Sequence, residues 1–161
     1  MSIRIISWNV NGFHFGTRGP RKMILYQELQ PALVGQVDVL LLQEHKLLAS
    51  QANKCGKVLV GHSHTYWEPS IGDHGRSGGV CTSIGASLLQ HVYRHGTLVP
   101  GHALWVGLDL EGSRIGILNV YAPTDLRRRA AFWSTLTGLL PEMDLWIIGG
   151  DFNNIEALED Q

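Results

Sequence analysis

Three apolar runs in this chain end abruptly in polar side chains: Trp8 gives way to Asn9, Leu42 to Gln43-Glu44, and Ile148, after two glycines, to Asp151-Phe152-Asn153. Together these tips offer carboxylates from Glu44 and Asp151 and side-chain amides from Asn9 and Asn153, with no cysteine among them. An all-oxygen donor set suits a hard cation, Mg²⁺ or Mn²⁺, better than zinc or copper. A cation held by one or two carboxylates, with waters filling its other positions, works chiefly on phosphate. The expected chemistry is phosphoester hydrolysis, with the metal neutralising phosphate oxygens and a carboxylate orienting or deprotonating the attacking water.

Taken singly, each residue has a plainer explanation. Asn9 fits an Asx-turn at a strand exit, Glu44 a surface pair with Lys46, Asp151 a turn or the N-cap of a following helix, and Tyr121 an ordinary strand aromatic. What favours a shared site is their common placement at strand ends, where a rigid sheet aims the first loop positions into one pocket.

The elements that would carry them follow from the pattern. Ile3-Arg4-Ile5-Ile6-Ser7-Trp8 is a β-branched run that breaks into Asn9-Val10-Asn11-Gly12, a strand ending in turn formers. Pro20 suits a helix start, and Met23, Tyr26, Leu29 and Leu33 recur at helical spacing, with Pro31 kinking or ending the helix. Residues 37–42 are nearly all apolar and too few for a helix, so they read as a strand buried on both faces. Leu48, Ala52, Cys55 and Leu59 repeat the helical spacing. Short β-rich pieces follow at 64–68, 79–84, 104–110 and 114–121, the last two joined by Glu111-Gly112-Ser113 as in a hairpin, so this stretch is expected to be antiparallel. Asp125 opens a helix whose apolar stripe is Leu126, Ala130, Trp133, Leu136 and Leu140, and Pro141 stops it. Leu145-Trp146-Ile147-Ile148 reads as a further buried strand.

The chain has 161 residues, 44% of them hydrophobic and 17% charged, which supplies one core and leaves too little length for two ordinary domains. No apolar run approaches the roughly eighteen residues of a membrane span, and Met1-Ser2-Ile3-Arg4 begins no secretory leader, so no membrane role is expected, and an intracellular chain, nuclear or cytoplasmic, is. A net charge of −1 gives no global field for nucleic acid, so any such contact must be local. Cys55 and Cys81 lack metal-site spacing and read as two buried thiols. His62 and His64 alternate on one strand face without an evident third ligand and read as surface histidines. Gly72-Asp73-His74-Gly75-Arg76-Ser77-Gly78-Gly79 lacks the Gly-Lys-Ser/Thr ending of a phosphate loop and reads as a loop beside the site.

Taken together, Ser7-Trp8-Asn9-Val10-Asn11-Gly12, Leu42-Gln43-Glu44-His45-Lys46, Gly78-Gly79-Val80, Asn119-Val120-Tyr121-Ala122-Pro123 and Gly150-Asp151-Phe152-Asn153-Asn154 resemble, in order and separation, the signatures of the endonuclease/exonuclease/phosphatase superfamily. The resemblance covers nearly the whole chain and is strongest to the exonuclease III and AP endonuclease-like branch. It implies an α/β fold, a four-layer sandwich of two packed mixed sheets with helices outside, of which residues 1–161 would be the N-terminal part of a single domain. It further implies Glu44 as the metal carboxylate with Asn9 beside it at metal and phosphate, Tyr121 polarising the scissile phosphate, Asp151 aligning the water and Asn153 holding phosphate oxygens. Some members have an acid where this chain has Asn11, which argues against a second cation.

Gln43-Glu44-His45-Lys46 and the helix with Arg127-Arg128-Arg129-Ala130-Ala131-Phe132-Trp133 resemble the nuclease domains that precede reverse transcriptases in non-LTR retroelements. The resemblance thus implies DNA as substrate and a reverse transcriptase, fused or separate, as partner. Read from the residues alone, the arginine run is a solvated helix face. Phosphatase, lipid phosphodiesterase and non-catalytic remnant stay open as alternatives. Family members complete the site with a later Asp in an Arg-Ile-Asp-like strand and an Asp-His pair, whereas only Phe152 to Gln161 follow Asp151 here. Little or no hydrolysis by this polypeptide is therefore expected, and an apolar sheet face left in water if the chain supplies mainly one sheet.

Overall fold

A computed structural model describes residues 2–12, 37–55, 64–72 and 77–154. Eight strands form two four-stranded sheets. The first contains β1 (Ile5–Asn9), β2 (Val39–Gln43), β3 (His64–Glu68) and β4 (Val80–Ile84) in the order β1-β2-β4-β3. The second contains β5 (Val92–Val99), β6 (Ala103–Leu110), β7 (Ser113–Tyr121) and β8 (Leu145–Asp151) in sequence order. Helices α1 (Ala49–Cys55), α2 (Ala86–Leu89) and α3 (Leu126–Leu139) connect them. The helix expected around Met23 to Leu33 lies outside the described residues, as do Leu59 and His62.

Parallel pairing is confined to one edge of each sheet, β1 with β2 and β7 with β8; the other pairings are antiparallel. Residues 64–68, 79–84 and the 104–121 hairpin thus follow the expected antiparallel arrangement. The hairpin turns on Glu111 and Gly112, both at positive φ (55° and 85°), as its two-residue turn requires.

Side-chain alternation sorts the core into layers. Val39 and Leu41 from β2 meet Val106, Leu108 and Ile117 from the facing sheet, and all are fully buried. On the outer side of the second sheet, Trp105, Leu118 and Val120 pack under Phe132 and Leu136 of α3. The Asp125 side chain caps α3 by accepting from the Arg128 backbone N–H at 2.9 Å, and the helix ends before Pro141. Cys81 is fully buried.

Four expectations are corrected. The chain contributes four strands to each of two sheets, so the interior faces cover each other and no single sheet is left bare. β8 is not a buried strand: it pairs only with β7 among the described residues, and Leu145 and Ile148 are 53% and 44% exposed. On α3 the buried face is Arg129, Phe132 and Leu136, while Leu126 and Ala130 of the expected stripe are exposed. β5 was absent from the expected elements because its Val-Tyr-Arg-His-Gly-Thr-Leu-Val sequence mixes polar and apolar residues on a largely exposed edge.

The apolar edge of β8 carries an expected result. Unpaired N–H and C=O groups flanked by exposed aliphatic side chains template strand addition, so the isolated polypeptide should self-associate in analytical ultracentrifugation. Ile148→Lys should return it to a monomer with the same melting temperature within a few degrees. A monomeric parent chain at high concentration would contradict this.

Candidate active site

Two parallel pairings bring the carboxyl ends of four strands to one end of the sandwich. Asn9 registers beside Gln43 on β1 and β2, and Tyr121 beside Asp151 on β7 and β8. The predicted site residues sit in the last positions of these strands or just beyond them, and hydrogen bonds between the sheets join them. Asn9 Nδ2 donates to Asp151 Oδ2 at 2.7 Å, and the Tyr121 hydroxyl donates to Glu44 Oε1. Asp151 Oδ1 accepts from the Asn153 backbone N–H at 2.9 Å, and the Asn153 amide donates to the Ala122 carbonyl, tying the loop after β8 to the end of β7. Asn9, Asp151 and Asn153 form one group and Tyr121 and Glu44 another, and Lys46 and Asn11 join the two at the strand ends.

The Asx-turn reading of Asn9 also holds, since its Oδ1 accepts from the Asn11 backbone N–H at 2.9 Å. So does the pairing of Glu44 with Lys46, at 3.0 Å, although it lies in the network and not on an open surface. Lys46 Nζ also donates to Asn11 Oδ1 at 2.6 Å. The ammonium thus bridges the loops after β1 and β2, a part of the site that sequence reasoning placed only as a surface partner.

Burial first, then the hydrogen bond to Glu44 and the charges of Glu44 and Asp151, push the Tyr121 phenol well above its ordinary range. It therefore stays a neutral hydroxyl donor. His102 stacks parallel behind its ring at 5.7 Å, and one imidazole nitrogen lies 2.7 Å from the Tyr121 carbonyl.

Two supports were invisible in the motif reading. The buried Gln43 amide donates to Asn119 Oδ1 at 2.8 Å, while Asn119 Nδ2 donates to the carbonyls of Leu42 and Cys81, so a polar clamp pins the sheets together one residue below the site. The available signal was a lone amide in each of two otherwise apolar strands, since a buried amide needs a partner. The second support is His45, fully buried between Glu44 and Lys46, both at positive φ (54° and 57°). Its Nδ1 accepts from the Leu47 backbone N–H at 3.0 Å, which leaves Nε2 to donate to the Glu68 carbonyl at 3.0 Å. A Cβ on Gly79, itself at φ +86°, would come within 2.5 Å of the imidazole, so glycine there lets the ring in.

Burial lowers the His45 pKa from 6.5 to about 4 against weaker opposing hydrogen bonds to backbone groups of Glu68 and Val80. The folded chain keeps the ring neutral, whereas the unfolded chain takes up its proton near the ordinary value. Stability from this group is complete above about pH 6.5, declines as pH falls toward 4 and declines no further below that, a total on the order of 3 kcal/mol. Urea unfolding at pH 7.5 and pH 5 should show the loss, and His45→Gln should flatten the dependence. An unchanged pH slope in that variant would assign the loss to other groups.

The donor set fits a hard cation: the Glu44 carboxylate and the Asn9 amide oxygen stand at the rigid ends of β2 and β1, while Asp151 is held by Asn9 and Asn153. Among the described residues no cluster of three or more His, Cys, Asp or Glu forms a richer metal cage.

Two mixed sheets packed face to face, with carboxylates and amides gathered at one end, define the class: an α/β sandwich. The chain belongs to the endonuclease/exonuclease/phosphatase family, whose model matches residues 6–158. A relative 31% identical over 159 residues is the uncharacterized 149 kDa protein of transposon TX1 from Xenopus laevis, and the match covers 95% of this chain and 11% of that one. Similar solved structures include the AP endonuclease LMAP of Leishmania major (TM-score 0.69, 20% identity, 92% of this chain and 54% of that one). The endonuclease domain of TRAS1, a telomere-specific non-LTR retrotransposon, matches with TM-score 0.61 at 16% identity over 96% of this chain and 62% of that one. TDP2 of D. rerio complexed with single-strand DNA product matches with TM-score 0.67 at 18% identity, again over 96% and 62%. The chain thus spans roughly half to two thirds of these structures and a small part of the transposon protein.

Proposed function

We propose that this chain carries the metal and phosphate side of a divalent-cation-dependent phosphodiesterase site that acts on DNA, of the kind attached to retroelement reverse transcriptases. The observation that carries the reading is the pair of inter-sheet hydrogen bonds, Asn9 to Asp151 and Tyr121 to Glu44, which Lys46 and Asn11 link into one polar network holding both carboxylates. The transposon relative supports a mobile-element context.

In this reading Glu44 and Asn9 hold Mg²⁺ or Mn²⁺, which when bound supplies charge neutralisation at the phosphate. The protein's own groups do the rest. The neutral Tyr121 hydroxyl, which donates to Glu44, would serve as a donor to a phosphate oxygen. Asp151, oriented by the Asn9 amide and the Asn153 backbone N–H, aligns and deprotonates the attacking water. The second proton of the Asn153 amide stabilises charge developing on the phosphate.

Hydrolysis by the 161-residue chain should be slow. His45 has both ring nitrogens engaged, and His102 lies behind Tyr121 with a nitrogen at its carbonyl. Neither of these two described histidines is placed to stabilise the transferring phosphoryl group, and a site without such a member commonly loses several powers of ten in rate. Purified chain with Mg²⁺ should nick supercoiled or abasic-site DNA slowly, and Asp151→Asn should remove even that activity. Robust turnover would overturn the expectation of an incomplete site. Phosphate release from inositol phosphates without nicking would replace DNA by a small phosphoester as substrate.

A further inference from the structure

The arginine run on α3 does not behave as one solvated face. Arg127 and Arg128 are exposed, but Arg129 is only 9% exposed, on the same side of the helix as Phe132 and Leu136. Its guanidinium makes no hydrogen bond or ion pair with the described residues, and none of its nitrogens is sealed from solvent without a partner. A mostly buried arginine is ordinarily paired, because desolvating its charge is costly.

Topology places this cation at the catalytic end. The chain leaves β7 at Tyr121, enters α3 after the Asp125 cap and returns through β8 to Asp151, so the first turns of α3 lie over the strand ends that carry the site. Arg129 is four residues before Trp133, hence on the same helical face one turn nearer that end. The Trp133 ring stacks on Phe152 at 5.7 Å and 15°. Phe152 lies between Asp151 and Asn153 and is itself 37% exposed.

We propose that Arg129 receives the phosphate next to the scissile one on a polynucleotide strand, with the Phe152 ring, backed by Trp133, as the stacking surface for the base between them. The inference rests on the phosphodiesterase reading and narrows it, since a small phosphate ester has no second phosphate on a connected backbone. A planar fork of donors suits a phosphate diester, and a flat aromatic takes any base, so the contact is to strand and not to sequence.

Anisotropy of a fluorescein-labelled single-stranded oligonucleotide at fixed Mn²⁺, over a range of salt, tests this. Arg129→Met keeps the buried stem and removes the charge. It should weaken strand binding about tenfold or more and lower the salt slope by about one. Its melting temperature should hold or rise, because no hydrogen bond or ion pair of the guanidinium with a described residue is lost, and Mn²⁺ binding should be unchanged. Phe152→Ala should weaken binding about fivefold or more with the salt slope intact. Arg129→Lys should keep the salt slope while losing part of the affinity. Unchanged strand affinity and slope in Arg129→Met would overturn the inference, as would a lowered melting temperature in both arginine variants, which would make Arg129 a structural residue. If the parent chain binds Mn²⁺ through Glu44 but does not bind the strand, this inference falls while the metal site stands.

Discussion

Glu44→Gln should abolish Mn²⁺ binding measured by titration calorimetry or by quenching of the free-ion electron paramagnetic resonance signal, while leaving the fold intact. The expectation follows from the charge in the pocket. Apart from Asp151, which is committed to the Asn9 amide and the Asn153 backbone N–H, Glu44 is the carboxylate of the network. Lys46 already sets an ammonium 3.0 Å from Glu44 Oε2. With glutamine at 44, a divalent ion would meet that ammonium with one carboxylate fewer to offset it, so affinity should fall by at least about a hundredfold, given the several kcal/mol that a charge left without its counter-charge costs. The fold should tolerate the change because the amide oxygen can still accept from the Tyr121 hydroxyl. Lys46→Met makes the complementary arm: removing the resident cation should tighten Mn²⁺. Unaltered binding in Glu44→Gln would move the metal elsewhere and end the assignment.

How far the sequence spoke for itself depended on whether chemistry or packing set the residue. Asn9, Glu44 and Asp151 were legible because apolar strands ending in acids and amides have few other uses, and the five motifs carried the sandwich fold with them. The β2 strand was legible because a sheet covered on both faces demands a continuous apolar run. β8 defeated the same rule: Leu145-Trp146-Ile147-Ile148 is as apolar as β2, yet it lies at an edge, and composition alone does not report a strand's position in its sheet. The helical stripe on α3 slipped by one position because Leu126 and Ala130 fit a 3–4 spacing as well as Arg129, Phe132 and Leu136 do, and only the aromatic contacts under the helix decide which face turns inward. His45 and the Gln43–Asn119 clamp were hidden for a different reason. Their partners are backbone carbonyls or residues 76 positions away, and neither leaves a local pattern.

Gly150→Ala should be more destabilising than the same change at its neighbour Gly149. Gly150 sits in β8 at φ +146°, a conformation that L side chains rarely adopt, and an added Cβ would lie 2.0 Å from the Val120 carbonyl oxygen of the paired strand. Backbone cannot step aside as a flexible side chain can, so the β7–β8 pairing would have to open at this point. The expected loss is about 3 kcal/mol, at the upper end for overpacking, with a fall in melting temperature of roughly 6–12 °C for a chain of this size. Gly149→Ala is the internal comparison. Its Cβ would meet the Cδ1 of Leu41 at 2.6 Å, the far end of a side chain that can turn away, so it should cost about 1 kcal/mol. The two neighbours should also differ at the site. Gly150 immediately precedes Asp151, whose carbonyl accepts from the Ala122 N–H at 2.8 Å and whose carboxylate accepts from Asn9. Displacing the strand there should loosen both bonds, so Gly150→Ala should weaken Mn²⁺ binding even below its melting temperature, while Gly149→Ala should not. Equal melting temperatures for the two variants would show that β8 at the edge yields freely and that the positive φ of Gly150 is not what aims Asp151 into the pocket.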